Sequence, residues 1–183
     1  MASLRFTADF SRLDAFEVRL CRPVNAIGRA HPVCGYFRFI SRIGDWPLWV
    51  ALLLVLPTAY GREAWLPVAH MAATAVVGIL VYKILKRLLL RERPFASYSD
   101  VHLFGHPMDR YSFPSGHTLH ATAFMVMLAA WFPLVMWLML PLAVSIALSR
   151  VVLGLHYPTD VLAGAAIGFA IARLSLLFAS LPT

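Results

Sequence analysis

Charge is scarce in this chain and nearly absent from its second half. Of 183 residues only 14% are Asp, Glu, Lys or Arg, and after Arg110 the charged residues are Arg150, Asp160 and Arg173. Residues 111–149 hold none. With 60% hydrophobic residues and a mean hydropathy of +0.73, the composition excludes an ordinary soluble domain and indicates an integral membrane protein. Cysteine is equally sparse. Cys21 and Cys34 could pair in principle, but two membrane-proximal cysteines read as small apolar packing residues and suggest no redox chemistry. No internal repeat, no Gly/Ser/Pro-rich linker and no charge run divides the chain. One domain is therefore expected over 1–183, an N-terminal segment 1–45 followed by a transmembrane core 46–183. The N-terminus also lacks the compact basic, apolar and small-residue pattern of a secretory signal, so the apolar spans are expected to persist in the mature chain.

What charge there is leans positive, sixteen Lys and Arg against nine Asp and Glu. Such a balance suits nucleic acid, an anionic membrane surface or an anionic substrate. Position separates these. Seven arginines lie in residues 1–45 and six Lys or Arg in residues 83–110, bordering the apolar runs. That favours lipid headgroups or an anionic lipid substrate over nucleic acid.

A helix needs about 20 apolar residues to cross the hydrocarbon, and fewer when aromatic or basic residues anchor its ends. Residues 46–60 and 64–82 each supply one span. The uncharged stretch 111–149 is about two membranes long at the helical rise, and Pro133 near its middle divides it into a two-helix hairpin. A fifth span runs from about Val161 to Leu181, carrying the small-xxx-small face Gly164 to Gly168 for close helix packing. The fold class is thus an all-α polytopic bundle of about five transmembrane helices.

Before Trp46, arginines interrupt every apolar run. Leu13, Phe16, Leu20, Val24 and Ile27 nevertheless recur at helical spacing, as do Val33, Phe37, Ile40 and Gly44, with Arg19, Arg22, Arg38 and Arg42 elsewhere on the wheel. One or two amphipathic helices lying in the interface are expected, broken at Pro23 and Pro32.

Three polar clusters fall at span ends: KRLLLRERP from Lys86 to Pro94, FPSGHTLH from Phe113 to His120, and SRVVLGLHYPTD from Ser149 to Asp160. The hairpin of spans three and four returns the chain to its starting side, so all three should meet at one membrane face. Lys86, Arg93 and Arg150 would then offer three positive charges to a phosphate, whose oxygens accept paired guanidinium bonds. Ser115 and Gly116 add a hydroxyl and a glycine turn opening a helix N-terminus, a second anion-binding device. His117 and His156 complete a phosphohydrolase: one imidazole attacks phosphorus while the other protonates the leaving oxygen. Asp160 could accept the Nδ1 proton of His156, fixing its tautomer and steadying the charge formed on attack.

With these residues in place the sequence resembles the type 2 phosphatidic acid phosphatases, membrane lipid phosphatases that share a helical core with vanadium-dependent haloperoxidases. The family pattern of Lys, six residues, then Arg-Pro is met by Lys86 through Pro94. Pro-Ser-Gly-His is met by Pro114 through His117, and Ser-Arg, five residues, His, three residues, Asp by Ser149, Arg150, His156 and Asp160. The resemblance covers residues 83–162 by motif and spans two to five by layout. It implies that Lys86, Arg93 and Arg150 hold phosphate, that Ser115 and Gly116 bind its oxygens, that His117 is the general acid, His156 the nucleophile and Asp160 its orienting partner. It also implies a phosphohistidine intermediate on a lipid phosphomonoester or pyrophosphate, such as undecaprenyl pyrophosphate, phosphatidylglycerol phosphate or phosphatidic acid, in a bacterial inner membrane.

The remaining polar residues read more plainly. Arg87, Arg91 and Arg173 are taken to snorkel to headgroups, and His70, mid-span, to bond helix to helix. His120 either lines the pocket or packs. His102, His106, Asp100 and Asp109 lie in the loop from Phe95 to Ser112, touching a headgroup or solvated. No HExxH or paired carboxylates appear and three cations would repel a divalent ion, so neither metal nor cofactor is expected. Two other functions fit part of the pattern: a haloperoxidase holding vanadate, whose known forms are soluble, and a non-enzymatic carrier of anionic lipid, which has no use for the paired histidines. Two cues to the facing of the site oppose each other. The resemblance suggests the extracytoplasmic side, the basic residues around the site the cytoplasmic one.

Overall fold

The computed structural model describes residues 9–179, and within them the regular structure is helical, with no strand beyond one isolated bridge between Glu92 and Tyr111. The helices are α1 (Ser11–Ile27), α2 (His31–Ile43), α3 (Trp46–Tyr60), α4 (Trp65–Leu89), α5 (Pro94–Ser97), α6 (Gly116–Trp131), α7 (Pro133–Val152) and α8 (Pro158–Ala179). Helix α3 stops at Gly61, whose φ of 70° a side chain would resist, and a 3-10 turn over Gly61–Ala64 leads into α4. The first turn of α3 and the last turns of α4 line the same cavity, so the pair is an antiparallel hairpin.

Five helices, α3, α4, α6, α7 and α8, stand where five spans were expected. Three helical stretches are long and apolar enough to cross a membrane, namely Trp46–Leu89, which is the α3–α4 hairpin, Pro133–Val152 and Pro158–Ala179. Helix α6 is shorter, 16 residues, about 24 Å at the helical rise. It is the central helix, packed against α4, α7 and α8, with Leu119 and Leu128 fully buried. Helix α4 outruns its expected end and continues to Leu89, so Lys86 sits on its last turns rather than beyond it. The expected end of the fifth span at Leu181 lies outside the described residues.

The small-residue face of α8 lies directly on α6. A Cβ on Gly168 would stand 2.2 Å from the Leu119 carbonyl oxygen, and one on Gly164 would stand 2.5 Å from that of Ser115. Bare backbone at these two positions lets the helices touch, and the Ser115 amide donates to the Asp160 carbonyl at 3.0 Å. His70 bonds helix to helix as expected, its Nε2 lying 2.5 Å from Ser175 Oγ on α8.

The N-terminal helices correct the sequence reading in one respect. Pro23 does not break α1; it sits inside the helix at an exposed position. Pro32 does open α2. Along α1 the apolar stripe faces outward, Phe16 being 62% and Leu20 50% exposed, while Glu17, Cys21 and Asn25 are buried against the bundle. An outward apolar stripe flanked by arginines is the face a helix lays into a headgroup boundary. Helix α2 does the reverse, burying Cys34 and Ile40 toward α7.

Candidate active site

Lys86, Arg93, Gly116, His117, Arg150 and His156 line a single cavity of about 240 Å³. Each motif reaches it by a different local device. Lys86 points in from the last turns of α4, whereas Lys83 and Arg87 on the same turns are exposed. Leu90 then adopts a left-handed conformation, φ 48°, a costly choice for a side-chain-bearing residue. That turn ends α4 and sends both Arg91 and Arg93 into the protein. Ser115 precedes the first turn of α6, whose leading N–H groups have no intrahelical acceptors and are free for an anion. Arg150 lies in the last turn of α7, and Gly154, φ 73°, lets the chain reverse tightly under the His102 carbonyl so that His156 re-enters the cavity before α8 begins.

Arg93 is almost fully buried. It donates from Nη1 to the Leu155 carbonyl at 2.7 Å, and the same nitrogen lies 3.3 Å from His156 Nε2. A guanidinium has no lone pair to offer, so Nε2 is the acceptor and the ring proton belongs on Nδ1. That Nδ1 faces Asp160 Oδ2 at 3.5 Å, a near approach outside hydrogen-bond geometry. Burial, together with Arg93, Arg150 and Lys86, drives the His156 imidazole well below its ordinary value and keeps it neutral. Asp160 is fully buried behind the cavity wall, Oδ2 accepting from the Tyr157 amide at 2.8 Å.

Arg150 donates to Ser41 Oγ from Nη1, while its Nε is buried without a partner. Ser115 differs from expectation: it is fully buried, its Oγ lies 3.0 Å from Thr118 Oγ1 and its amide serves Asp160, so it is absent from the cavity lining. Gly116 beside it does line the cavity. His120 lines it too, edge-on to Tyr82.

Four acidic residues that the sequence reading left unassigned or took as solvated are engaged here. Asp109 bridges Lys86 Nζ, at 2.6 and 2.8 Å, and Arg93 Nη2 at 2.8 Å, an anionic oxygen pair between two of the three cations. Burial works to raise its carboxyl, but Lys86 and Arg93 outweigh that and hold it below the ordinary carboxylate value. Asp45, just ahead of α3, brings Oδ1 to 2.6 Å from His117 Nε2. Asp14 and Glu17 of α1 bind Arg91, which is fully buried and not, as the sequence suggested, a headgroup-seeking residue. The available signal was weak: nine acids in the whole chain, with Asp14 and Glu17 three apart on one helix face.

The cavity has two characters. Toward the middle of α3 and α4 its walls are apolar, with Trp49, Leu53, Ala75, Ile79 and Phe124 from α3, α4 and α6. On the other side a polar hollow of about 620 Å³, bordered by Arg38, Ser41 and His106, meets it at Asp45, His117 and Arg150. One end therefore suits a lipid chain and the other water and phosphate.

A model of the PAP2 superfamily matches residues 66–181. The chain is 30% identical to the lipid A 1-phosphatase of Rhizobium johnstonii over 87% of its own length and 77% of that protein. It is 39% identical to the decaprenylphosphoryl-5-phosphoribose phosphatase of Mycolicibacterium smegmatis over 69% and 68%. The crystal structure of Aquifex aeolicus LpxE superposes with a TM-score of 0.76 at 25% identity, covering 88% of this chain and 95% of that one.

Proposed function

The chain belongs to the PAP2 superfamily, and from that premise we propose that it is an integral membrane lipid phosphatase cleaving a lipid phosphomonoester or pyrophosphate through a phosphohistidine on His156. The single observation that carries this reading is the shared cavity: two histidines and three cations converge at one end, and an apolar channel between α3 and α4 opens from it. A lipid carrier needs the channel and the cations, but gains nothing from a neutral, desolvated histidine aimed at the same point.

The steps follow from the groups present. Lys86, Arg93, Arg150 and the N-terminus of α6 take the phosphoryl oxygens, displacing the Asp109 carboxylate from Lys86 and Arg93. Nε2 of His156 forms a bond to phosphorus as the bond to the lipid oxygen breaks, and His117 passes a proton to that oxygen. Asp160 steadies the positive charge that grows on His156, and Asp45, whose Oδ1 lies 2.6 Å from His117 Nε2, offsets the charge on His117 whenever that ring carries the proton. Water from the polar hollow then attacks the phosphohistidine, returns a proton to His117 and releases inorganic phosphate. Ser115 contributes by fixing the α6 turn to α8 rather than by touching phosphate. The protein resides in the bacterial cell membrane and acts as one domain over residues 1–183, a reading supported by the burial of α1 and α2 side chains against the core.

Trapping the intermediate tests this. His156→Ala should abolish both turnover of phosphatidic acid micelles and any phosphoenzyme. His117→Ala should lose about 10²- to 10⁴-fold in rate on the lipid, and less on p-nitrophenyl phosphate, whose leaving group departs without a proton. EDTA should leave the wild type unchanged. A phosphoenzyme in His156→Ala, or activity lost in EDTA and restored by Mg²⁺, would refute the mechanism.

A further inference from the structure

Arg91 is two residues from Arg93 and faces the opposite side of the site. Its side chain is fully buried, and its donors are committed to the protein. Nε and Nη2 bind Asp14 Oδ1 at 2.9 and 2.6 Å, Nη2 also binds Glu17 Oε2 at 2.5 Å, and Nη1 binds Thr159 Oγ1 at 2.8 Å and Asp160 Oδ1 at 2.6 Å. The guanidinium lies 4.1 Å over the Tyr157 ring and 5.0 Å over that of Phe10. Glu17 in turn accepts from the Thr159 amide at 2.7 Å and its hydroxyl at 2.5 Å, fastening α1 to the first turn of α8. Phe10, Asp14 and Glu17 lie outside the segment that the family model matches.

Burying one cation among three carboxylates carries a desolvation penalty for every ion, and well-packed apolar groups would hold two helices together at least as well. Tethering alone does not account for it. The Asp160 carboxylate has two oxygens with two duties: Oδ2 faces His156 and the Tyr157 amide, Oδ1 meets Arg91. Without Arg91, Oδ1 would be a buried oxygen with no cation beside it, prone to take up a proton, and the charge that Asp160 presents to His156 through Oδ2 would be lost with it. Burial works to lower the Arg91 guanidinium, but Asp160, Glu17 and Asp14 outweigh it and raise it, so the cation is permanent.

We infer that Arg91 and Glu17 are positioning residues for the reaction, holding the Asp160 carboxylate ionised and aimed at the nucleophile His156, so that the N-terminal helix α1 is part of the catalytic apparatus. This rests on the roles proposed above for His156 and Asp160. Glu17 sets Arg91 and the α8 turn, Arg91 sets Asp160, and Asp160 sets His156.

The test uses the full chain in detergent micelles with phosphatidic acid as substrate, kcat being expressed per vanadate-binding site so that unfolded protein is not counted. Glu17→Gln keeps the shape and an acceptor oxygen but removes the charge; Arg91→Lys keeps the charge but removes the fork. Each should lower kcat at least about 10-fold with KM within about 2-fold of wild type, and in an Asp160→Asn background Glu17→Gln should add less than about 2-fold, because both act through one carboxylate. A role in folding alone would change the number of vanadate-binding sites and leave kcat per site unmoved. If Arg91→Lys yields no folded protein, Glu17→Gln decides. A wild-type kcat in Glu17→Gln, or a loss that multiplies in full with that of Asp160→Asn, overturns the relay. A wild-type kcat in Asp160→Asn overturns the site reading itself and the relay with it.

Discussion

Substituting Gly168 by Ala tests whether the touching of α6 and α8 is what aligns the site. The added Cβ would stand 2.2 Å from the Leu119 carbonyl oxygen and 3.0 Å from its carbon. That is about 1.2 Å short of the 3.4 Å of ordinary van der Waals contact. The obstacle is backbone at the start of the central helix, so it cannot swing aside as a side chain could; α8 must move by about 1 Å. Overpacking of this kind costs about 1–3 kcal/mol. The displacement also falls on the bond between the Ser115 amide and the Asp160 carbonyl, and hence on the spacing between the α6 turn and His156. A misplacement of about 1 Å can cost roughly 10²-fold in rate. Gly168→Ala should therefore melt lower in detergent and lose roughly 10²-fold in phosphate release from phosphatidic acid micelles. Gly35→Ala, at an exposed position inside α2 with nothing within 4 Å of the new methyl, should leave turnover unchanged and the melting temperature equal or slightly higher. Wild-type melting and turnover in Gly168→Ala would refute the claim that this contact sets the geometry.

Two further outcomes follow from the site and the hairpin. His156 is held neutral in the folded state, below the ordinary value of 6.5, whereas the unfolded chain protonates it normally. As pH falls below about 6.5 the unfolded state binds the extra proton, so the contribution is fully present above that pH and declines beneath it. Melting temperature in detergent should drop between pH 7.5 and 5.5, by less in His156→Gln than in wild type; equal drops would sink this account. For topology, single cysteines at Ser99 and Arg62, in a background lacking Cys21 and Cys34, should be labelled from opposite membrane faces, since the first lies on the active-site loop and the second at the turn between α3 and α4. Labelling from one face would break the hairpin arrangement, and the side that labels Ser99→Cys is the side on which the lipid phosphate is cleaved.

What the sequence determined by itself is whatever depends on the transfer cost of a segment or on short spacing. The uncharged run 111–149, divided at Pro133, reads as two packed helices, because away from water only helices or a closed β-barrel satisfy the backbone, and a long continuous apolar run lacks the apolar/polar alternation of barrel strands. Lys86, Arg93, His117, Arg150 and His156 were legible for the same reason: in so apolar a chain a charge at a span end requires a purpose, and their spacing supplied one. Tertiary structure alone decided the rest. Arg91 and Arg93 look alike in sequence, yet one meets Asp160 and Glu17 and the other His156 and Asp109, partners that only the folded chain brings beside them. Asp109 and Asp45, whose roles no local pattern marked, lie against Lys86 and His117 through loops. In α1 a hydrophobic stripe and a polar stripe were both readable, but which one turns inward was settled by Glu17 finding Arg91, 74 residues away. Periodicity reports that a helix has two faces; the free energy of burying either depends on partners that only the folded chain brings near.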